Sequence, residues 1–237
     1  STSPDPITYS WTSLPAGLNS SLQVPTHTFS LPGSYQIQLI VESNNSCKDT
    51  AIKTATVYPN PIADFTVPDF CVQQQETFTN TSSISSGTIS YVWDFGDASG
   101  FSTIQNPAHS YAVPGPYTVL LTVKSNNNCI DTTAHSVLVK SIPTTNFTED
   151  ITKGCAPLCV QFTNQTVNLN GPISAYEWDF GDGSISTDTD PKHCYAVAGT
   201  YTVKLKAYST STCSDEVIKA SLIVVYPVPV ADFNYNP

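Results

Sequence analysis

The stretch "YEWDFGDGS" (176–184) sets three carboxylates, Glu177, Asp179 and Asp182, within six residues and beside Trp178. A pair of acids next to an aromatic ring is what a glycosidase uses, one acid protonating the leaving oxygen and the other attacking or activating water. An oxygen-rich turn also suits a hard cation such as calcium. Nearly the same letters recur at "YVWDFGDAS" (91–99), with Asp94 and Asp97. Strand alternation argues against catalysis, because it puts Trp178 and Phe180 on one face and Glu177 and Asp179 on the other. One strand does not supply two acids facing each other across a cleft. Asp182-Gly183 has the composition of a turn, in which Asp accepts backbone N–H groups and Gly takes positive φ. Asp97-Ala98 does the same less comfortably. The stretch is therefore expected to be a turn carrying a core Trp, with calcium at its oxygens as the alternative.

Other chemistry-bearing residues give less. His27, His109 and His193 each stand two residues before an aromatic and eight before a tyrosine. No second ligand accompanies them at metal spacing, so each is expected to be a hydrogen-bonded loop histidine. No Cys or His set has zinc spacing within one repeat. There is no Gly-x-Ser-x-Gly elbow and no phosphate-binding glycine loop. Nine basic residues spread thinly over a chain of net charge −10 exclude nucleic acid as a partner. The longest apolar stretch, "SLIVVYPVPVA" (221–231), is short for a bilayer span and is broken by proline. With no basic-then-apolar leader and no Met, the 237 residues look like a segment of something longer.

The elements that must position these residues are written three times. Trp11, Trp93 and Trp178 lie 82 and 85 residues apart. Downstream come "HTFSLPGSYQIQLIVES" (27–43), "HSYAVPGPYTVLLTVKS" (109–125) and "HCYAVAGTYTVKLKAYS" (193–209). A cysteine follows each Gly-x-Tyr tyrosine by twelve residues, at Cys47, Cys129 and Cys213. The units meet at "YPNPIADF" (58–65), "SIPTTNF" (141–147) and "YPVPVADF" (226–233). The expected division is 1–60, a repeat without its opening strands; 61–143 and 144–229, two whole repeats; and 230–237, the start of another.

Tyr117, Val119, Leu121 and Val123 alternate with more polar neighbours, as do Tyr201, Val203, Leu205 and Ala207, and Tyr35, Ile37, Leu39 and Val41. Period two over eight residues means half-buried strands. Short strands between Pro, Gly, Asn and Ser clusters, with no helical stripe, imply an all-β chain of tandem Ig-like antiparallel sandwiches, beads on a string. Repeats this small commonly add disulfides. Cys71 stands seven residues before Phe78 and Cys155 seven before Phe162, so the two are equivalent. The expected pairs are Cys71–Cys129, Cys155–Cys213 and Cys159–Cys194, with Cys47 left over; buried reduced thiols are the alternative. Closing a loop of about 58 residues stabilises by roughly 4 kcal/mol in the chain-entropy account.

"YVWDFGDAS" and "YEWDFGDGS", each followed by H-x-Y-x-x-x-G-x-Y-x-V, resemble the signature of PKD (polycystic kidney disease) repeats. On that resemblance Trp93, Asp94, Gly96 and Asp97, and Trp178, Asp179, Gly181 and Asp182, are motif residues; Trp11 survives in "YSWTSLPAG" without the acids. The cysteine variant is similar to tandem arrays in large surface and secreted proteins of Bacteroidota, often exported by type IX secretion and serving adhesion or gliding. The resemblance implies an Ig-like β-sandwich used as an extracellular spacer or binding module; the expectation is a non-catalytic spacer or fibre segment without a cofactor. Its partners would be neighbouring repeats, with self-assembly into a fibre as a further option. The alternative is an accessory module of a secreted hydrolase, engaging polysaccharide or protein through aromatics such as Phe101, Tyr208 or Tyr235. "DTA" (49–51) and "DTT" (131–133) match a Bacteroidota O-glycosylation pattern, which would modify Thr50 and Thr132.

Overall fold

The computed structural model describes residues 7–209 and 213–234. Every regular element among them is a β-strand, and no helix is long and apolar enough to cross a membrane. In the second repeat the strand Gly115–Ser125 pairs antiparallel with Ile89–Asp94 on one side and Ile130–Lys140 on the other. The short strands Phe101–Ser102 and Phe70–Cys71 close the two edges of this five-stranded sheet. The third repeat copies it with Ile185–Ser186, Ala175–Asp179, Gly199–Tyr208, Ser214–Tyr226 and Lys153–Cys155. Its second layer is Phe147–Glu149, Leu158–Asn164 and Lys192–Tyr195.

Alternation decides what each layer buries. Val119, Leu121 and Val123 are fully buried, as are Val203, Leu205 and Ala207, while their neighbours on each strand point outward. Val119, Leu121 and Val123 meet Phe65, Phe78 and Trp93 in one core, and Val203 and Leu205 meet Phe147, Phe162 and Trp178 in the other. Each large side chain so buried contributes about 1.5–3 kcal/mol. The two cores share no residue, so each repeat is its own sandwich. The first repeat differs. It is one four-stranded sheet, ordered Asn19–Ser20, Ile7–Leu14, Gly33–Ser43, Lys48–Val57. Ile37, Leu39 and Val41 are only half-buried there, and among the described residues no second sheet covers them.

The disulfides correct the expected pairing. Cys71 bonds to Cys213, 142 residues away in the next repeat, and Cys159 bonds to Cys194 within the third. Neither Cys71–Cys129 nor Cys155–Cys213 forms; Cys47, Cys129 and Cys155 are free. The reason is strand direction. Phe70–Cys71 runs parallel to the end of Ile130–Lys140, with Cys71 opposite Lys140, whereas Cys129 immediately precedes Ile130. Eleven residues of strand, at about 3.3 Å each, put the two cysteines at opposite ends of the sandwich, roughly 36 Å apart. A disulfide needs Cα atoms within about 7 Å. Cys155, opposite Tyr226, is separated from Cys213 by the whole length of Ser214–Tyr226 in the same way.

Candidate functional site

The acidic turn is built outward from the tryptophan. Trp178 and Phe180 point into the core at 1% and 2% exposure, and the Trp178 ring N–H donates to the Asp188 carbonyl at 2.9 Å. Trp93 donates to the Ile104 carbonyl and Trp11 to that of Leu22, each at 3.0 Å, so all three indoles play the same part. A tryptophan as enclosed as Trp93 or Trp178 has no face to offer a substrate.

The acids have partners already. Glu177 accepts from the Tyr208 hydroxyl at 2.6 Å on the outer face. Asp179 accepts the Gly181 N–H at 2.9 Å and faces Lys204 at 3.2 Å. That backbone bond, helped by Lys204, holds its carboxyl below the usual carboxylate range. Asp94 accepts the Gly96 N–H in the same geometry. Gly181 and Gly96 have positive φ, and a Cβ on either would lie 2.4 Å from the carbonyl oxygen of Thr202 or Thr118. Glycine is required where the turn crosses the neighbouring strand this closely.

Asp182 makes the contact that sequence reasoning missed. One oxygen accepts the Ser184 N–H at 2.9 Å and the other lies 2.7 Å from His193 Nε2. A carboxylate only accepts, so Nε2 carries the proton. The imidazole stacks on Phe180, with centroids 4.2 Å apart and planes 6° off parallel, and meets Tyr195 edge-on. Asp97, His109, Phe95 and Tyr111 repeat this, with Asp97 2.8 Å from His109 Nε2. Burial raises the pKa of each Asp carboxyl, but hydrogen bonds from the serine and the histidine outweigh it, so the net shift is downward. Burial pushes the Tyr111 and Tyr195 hydroxyls up; they stay protonated and donate to the carbonyls of Phe95 and Phe180. Asp, His, Phe and Tyr therefore form one clasp over the turn. The recurrence of His and Asp together in two repeats was the available signal. In the first repeat His27 persists without an acid and lies edge-on to Phe29 instead.

Across the strands of this region the carboxyls alternate with lysines: Glu177 lies opposite Lys206, Lys206 opposite Glu216, and Asp179 opposite Lys204. The groove beside Trp178, about 350 Å³, is lined by Glu177, Asp179, Lys204, Lys206 and Glu216, in which opposite charges alternate. Among the described residues no group of three or more His, Cys, Asp and Glu side chains gathers to hold a metal ion. Of the aromatics proposed for binding, Phe101 is 75% exposed, Tyr208 is engaged with Glu177, and Tyr235 lies outside the described residues. Thr50 and Thr132 are exposed on their strands. The Asp beside Thr132 is structural, since Asp131 accepts the Ala63 N–H at 2.8 Å, as Asp215 accepts that of Thr145 at 2.8 Å. Each bond ties the opening segment of a repeat to its own hairpin tip.

The joint between the second and third repeats is the other built feature. Besides the Cys71–Cys213 bond, Ser209 donates its hydroxyl to the Ser141 carbonyl, and Ser141 donates to that of Asn170 at 3.3 Å. A cleft of about 500 Å³ remains between Pro116 and Leu138 on one side and Asn170 and Pro172 on the other.

A family model described as PKD domain matches residues 58–139 and again residues 140–224, more than half the chain. The chain belongs to the PKD domain family. Among curated relatives, collagenase ColA of Bacillus cereus is 47% identical over 47 residues, 19% of this chain and 5% of the relative. A microbial collagenase of Vibrio alginolyticus is 36% identical over 75 residues, 30% of this chain and 9% of the relative. The chain thus spans under a tenth of the length of either collagenase. The crystal structure of the PKD1 domain from Vibrio cholerae metalloprotease PrtV is 34% identical, covering 35% of this chain and 99% of that one, with a TM-score of 0.30. The PKD-type sandwiches here rest on their own strand order and cores.

Proposed function

We propose that this PKD chain is a non-catalytic, extracellular spacer that holds the parts of a larger surface or fibre protein at a set distance and orientation. The observation that carries the reading is the Cys71–Cys213 bond, which fastens one sandwich to the next and whose two buried cysteines belong to neither core cluster. A disulfide of this kind persists in an oxidising, extracellular compartment. Independent domains on a short linker swing relative to one another unless their interface is large; a covalent second attachment removes that freedom. The filled hydrogen-bond partners of the WDFGD acids support a structural role for the motif. Adhesion or gliding is the role that suits a long array of this kind.

The collagenase relatives favour a second reading, in which the repeats serve as an accessory module of a secreted hydrolase. Exposed Phe101, at the edge of the second repeat's sheet, is the residue on which such binding would rest. Retention of the chain on immobilised collagen or polysaccharide, lost in Phe101→Ala, separates the two. The spacer reading expects no retention. It also expects small-angle scattering to give a single rigid shape that loosens when the disulfide is reduced.

A further inference from the structure

The bond between the second and third repeats joins two positions that the array repeats. Cys71 lies at the outgoing end of the second repeat, opposite Lys140 in a parallel pair; Cys155 lies at the outgoing end of the third, opposite Tyr226 in the same kind of pair. Cys213 lies at the incoming hairpin tip of the third repeat, its carbonyl accepting the Ser209 N–H. Cys129 accepts from Ser125 and Cys47 from Ser43 in the same four-residue loop. Every whole repeat therefore carries one outgoing and one incoming sulfur. Where outgoing meets incoming, at Cys71 and Cys213, they are bonded; Cys155 is exposed as a thiol.

A separate observation lies at the same end of the molecule. "YPVPVADF" (226–233) repeats "YPNPIADF" (58–65), the segment that opens the second repeat. There Phe65 is 1% exposed with its ring 5.0 Å from Trp93, and Phe147 of the third repeat is fully buried 5.1 Å from Trp178. Phe233, the matching residue, is 86% exposed, and Val230 is 93% exposed. By its place in the repeated segment, Phe233 corresponds to Phe65, the residue that seats an opening strand against the core tryptophan.

We propose that the outgoing end of the third repeat is a docking face for a further PKD repeat, one opened by residues 230–233. It would be locked in place by a disulfide between Cys155 and the hairpin-tip cysteine of that repeat. Cys71–Cys213 is then one period of a sulfur chain that runs the length of the array, and Cys129 is the incoming half for an outgoing cysteine of the preceding repeat. Forming each bond removes a proton from each of two thiols and passes two electrons to a disulfide oxidant, a small-molecule disulfide or a protein disulfide oxidase, which leaves as two thiols. The inference goes beyond the spacer reading, since a ligand-binding array could be stapled in the same way.

The test uses the whole chain through Phe233, continued by a second copy of residues 148–229 and oxidised in a glutathione buffer. The copy carries Glu216→Asp so that its tip peptide is distinguishable by mass. The expected product is a monomer with three free thiols, as many as the parent has, but now Cys47, Cys129 and the copy's Cys155 position, because Cys155 of the original third repeat is joined to the copy's Cys213 position. Cys155→Ser in the original repeat should release that tip thiol. The copy's own Cys159–Cys194 bridge reports that it has folded. A folded copy with both sulfurs reduced, two more free thiols than the parent, overturns the proposal; so does a bond from Cys155 to Cys47 of a second molecule. A parallel extension by residues 66–143, whose Cys129 holds the tip position, must give the same bond to Cys155.

Discussion

Neutralising Asp182 distinguishes a structural acid from a functional one. In Asp182→Asn the amide oxygen still accepts the Ser184 N–H, but the charge opposite His193 is gone. A hydrogen bond to a charged group contributes about 1.5–3 kcal/mol. Asp182 and His193 side chains are 21% and 14% exposed, so water recovers part of that, and the loss is expected to be about 1–2 kcal/mol. For a sandwich of this size each kcal/mol moves the melting temperature by about 4–8 °C, so the third repeat should melt roughly 5–15 °C lower while the second is unchanged. Burial raises the Asp182 pKa, yet the His193 and Ser184 bonds bring it below the usual range in the fold. A carboxyl depressed on folding contributes its stability above the unfolded value, near 4, and loses it as pH falls through the lower folded value. Calorimetry of the full chain should therefore show the gap between wild type and Asp182→Asn wide at pH 7 and closing below about pH 4. A variant as stable as wild type at pH 7, or more stable, would refute the reasoning, since neutralising a functional acid characteristically stabilises. A gap that persists at low pH would do the same.

The remaining predictions concern the turn, the strand anchor and the joint. Gly181→Ala puts a Cβ against the Thr202 carbonyl at positive φ and should cost about 2–5 kcal/mol, whereas Gly183→Ala meets open space and should cost only about 1, both read from denaturant midpoints. Ala98 holds φ 61°, so Ala98→Gly should stabilise the second repeat by about 0.5–1 kcal/mol. Asp215→Ala orphans the Thr145 N–H and should lower the third repeat's stability by about 1–3 kcal/mol without touching the second. Cys71→Ser leaves both cores intact and should show as a longer, more variable particle in small-angle scattering; an unchanged profile would mean that the sulfur does not hold the joint.

Much of the fold was legible because it rests on local pattern. The alternation at Tyr117–Val123 and Tyr201–Ala207, the core tryptophans and the turn at WDFGD all follow from period two and turn chemistry, and each is written more than once. What escaped depended on direction and on distance across the sandwich. Counting residues showed that Cys71 matches Cys155 and that Cys129 matches Cys213, but equivalence holds modulo one repeat. Nothing in the spacing says whether a sulfur meets its partner in its own repeat or in the next. The parallel pairing of Phe70–Cys71 with the far end of Ile130–Lys140 decides it, and two-residue parallel strands leave almost no trace in a sequence. The His–Asp clasp was hidden because its members lie eleven or twelve residues apart on either side of an edge strand. The Asp of the Cys-x-Asp step recurs at Asp49, Asp131 and Asp215. Nothing in its spacing shows that at Asp131 and Asp215 the acid ties down the opening segment of a repeat, because its backbone partner lies about 70 residues away.

The most direct measurement is a peptide map of the unreduced chain, alkylated before digestion to trap free thiols. A peptide pair joining Cys71 to Cys213, with Cys129 and Cys155 recovered alkylated, is the outcome expected of sandwiches fastened end to end. Cys71 recovered with Cys129, or as a free thiol, would contradict it.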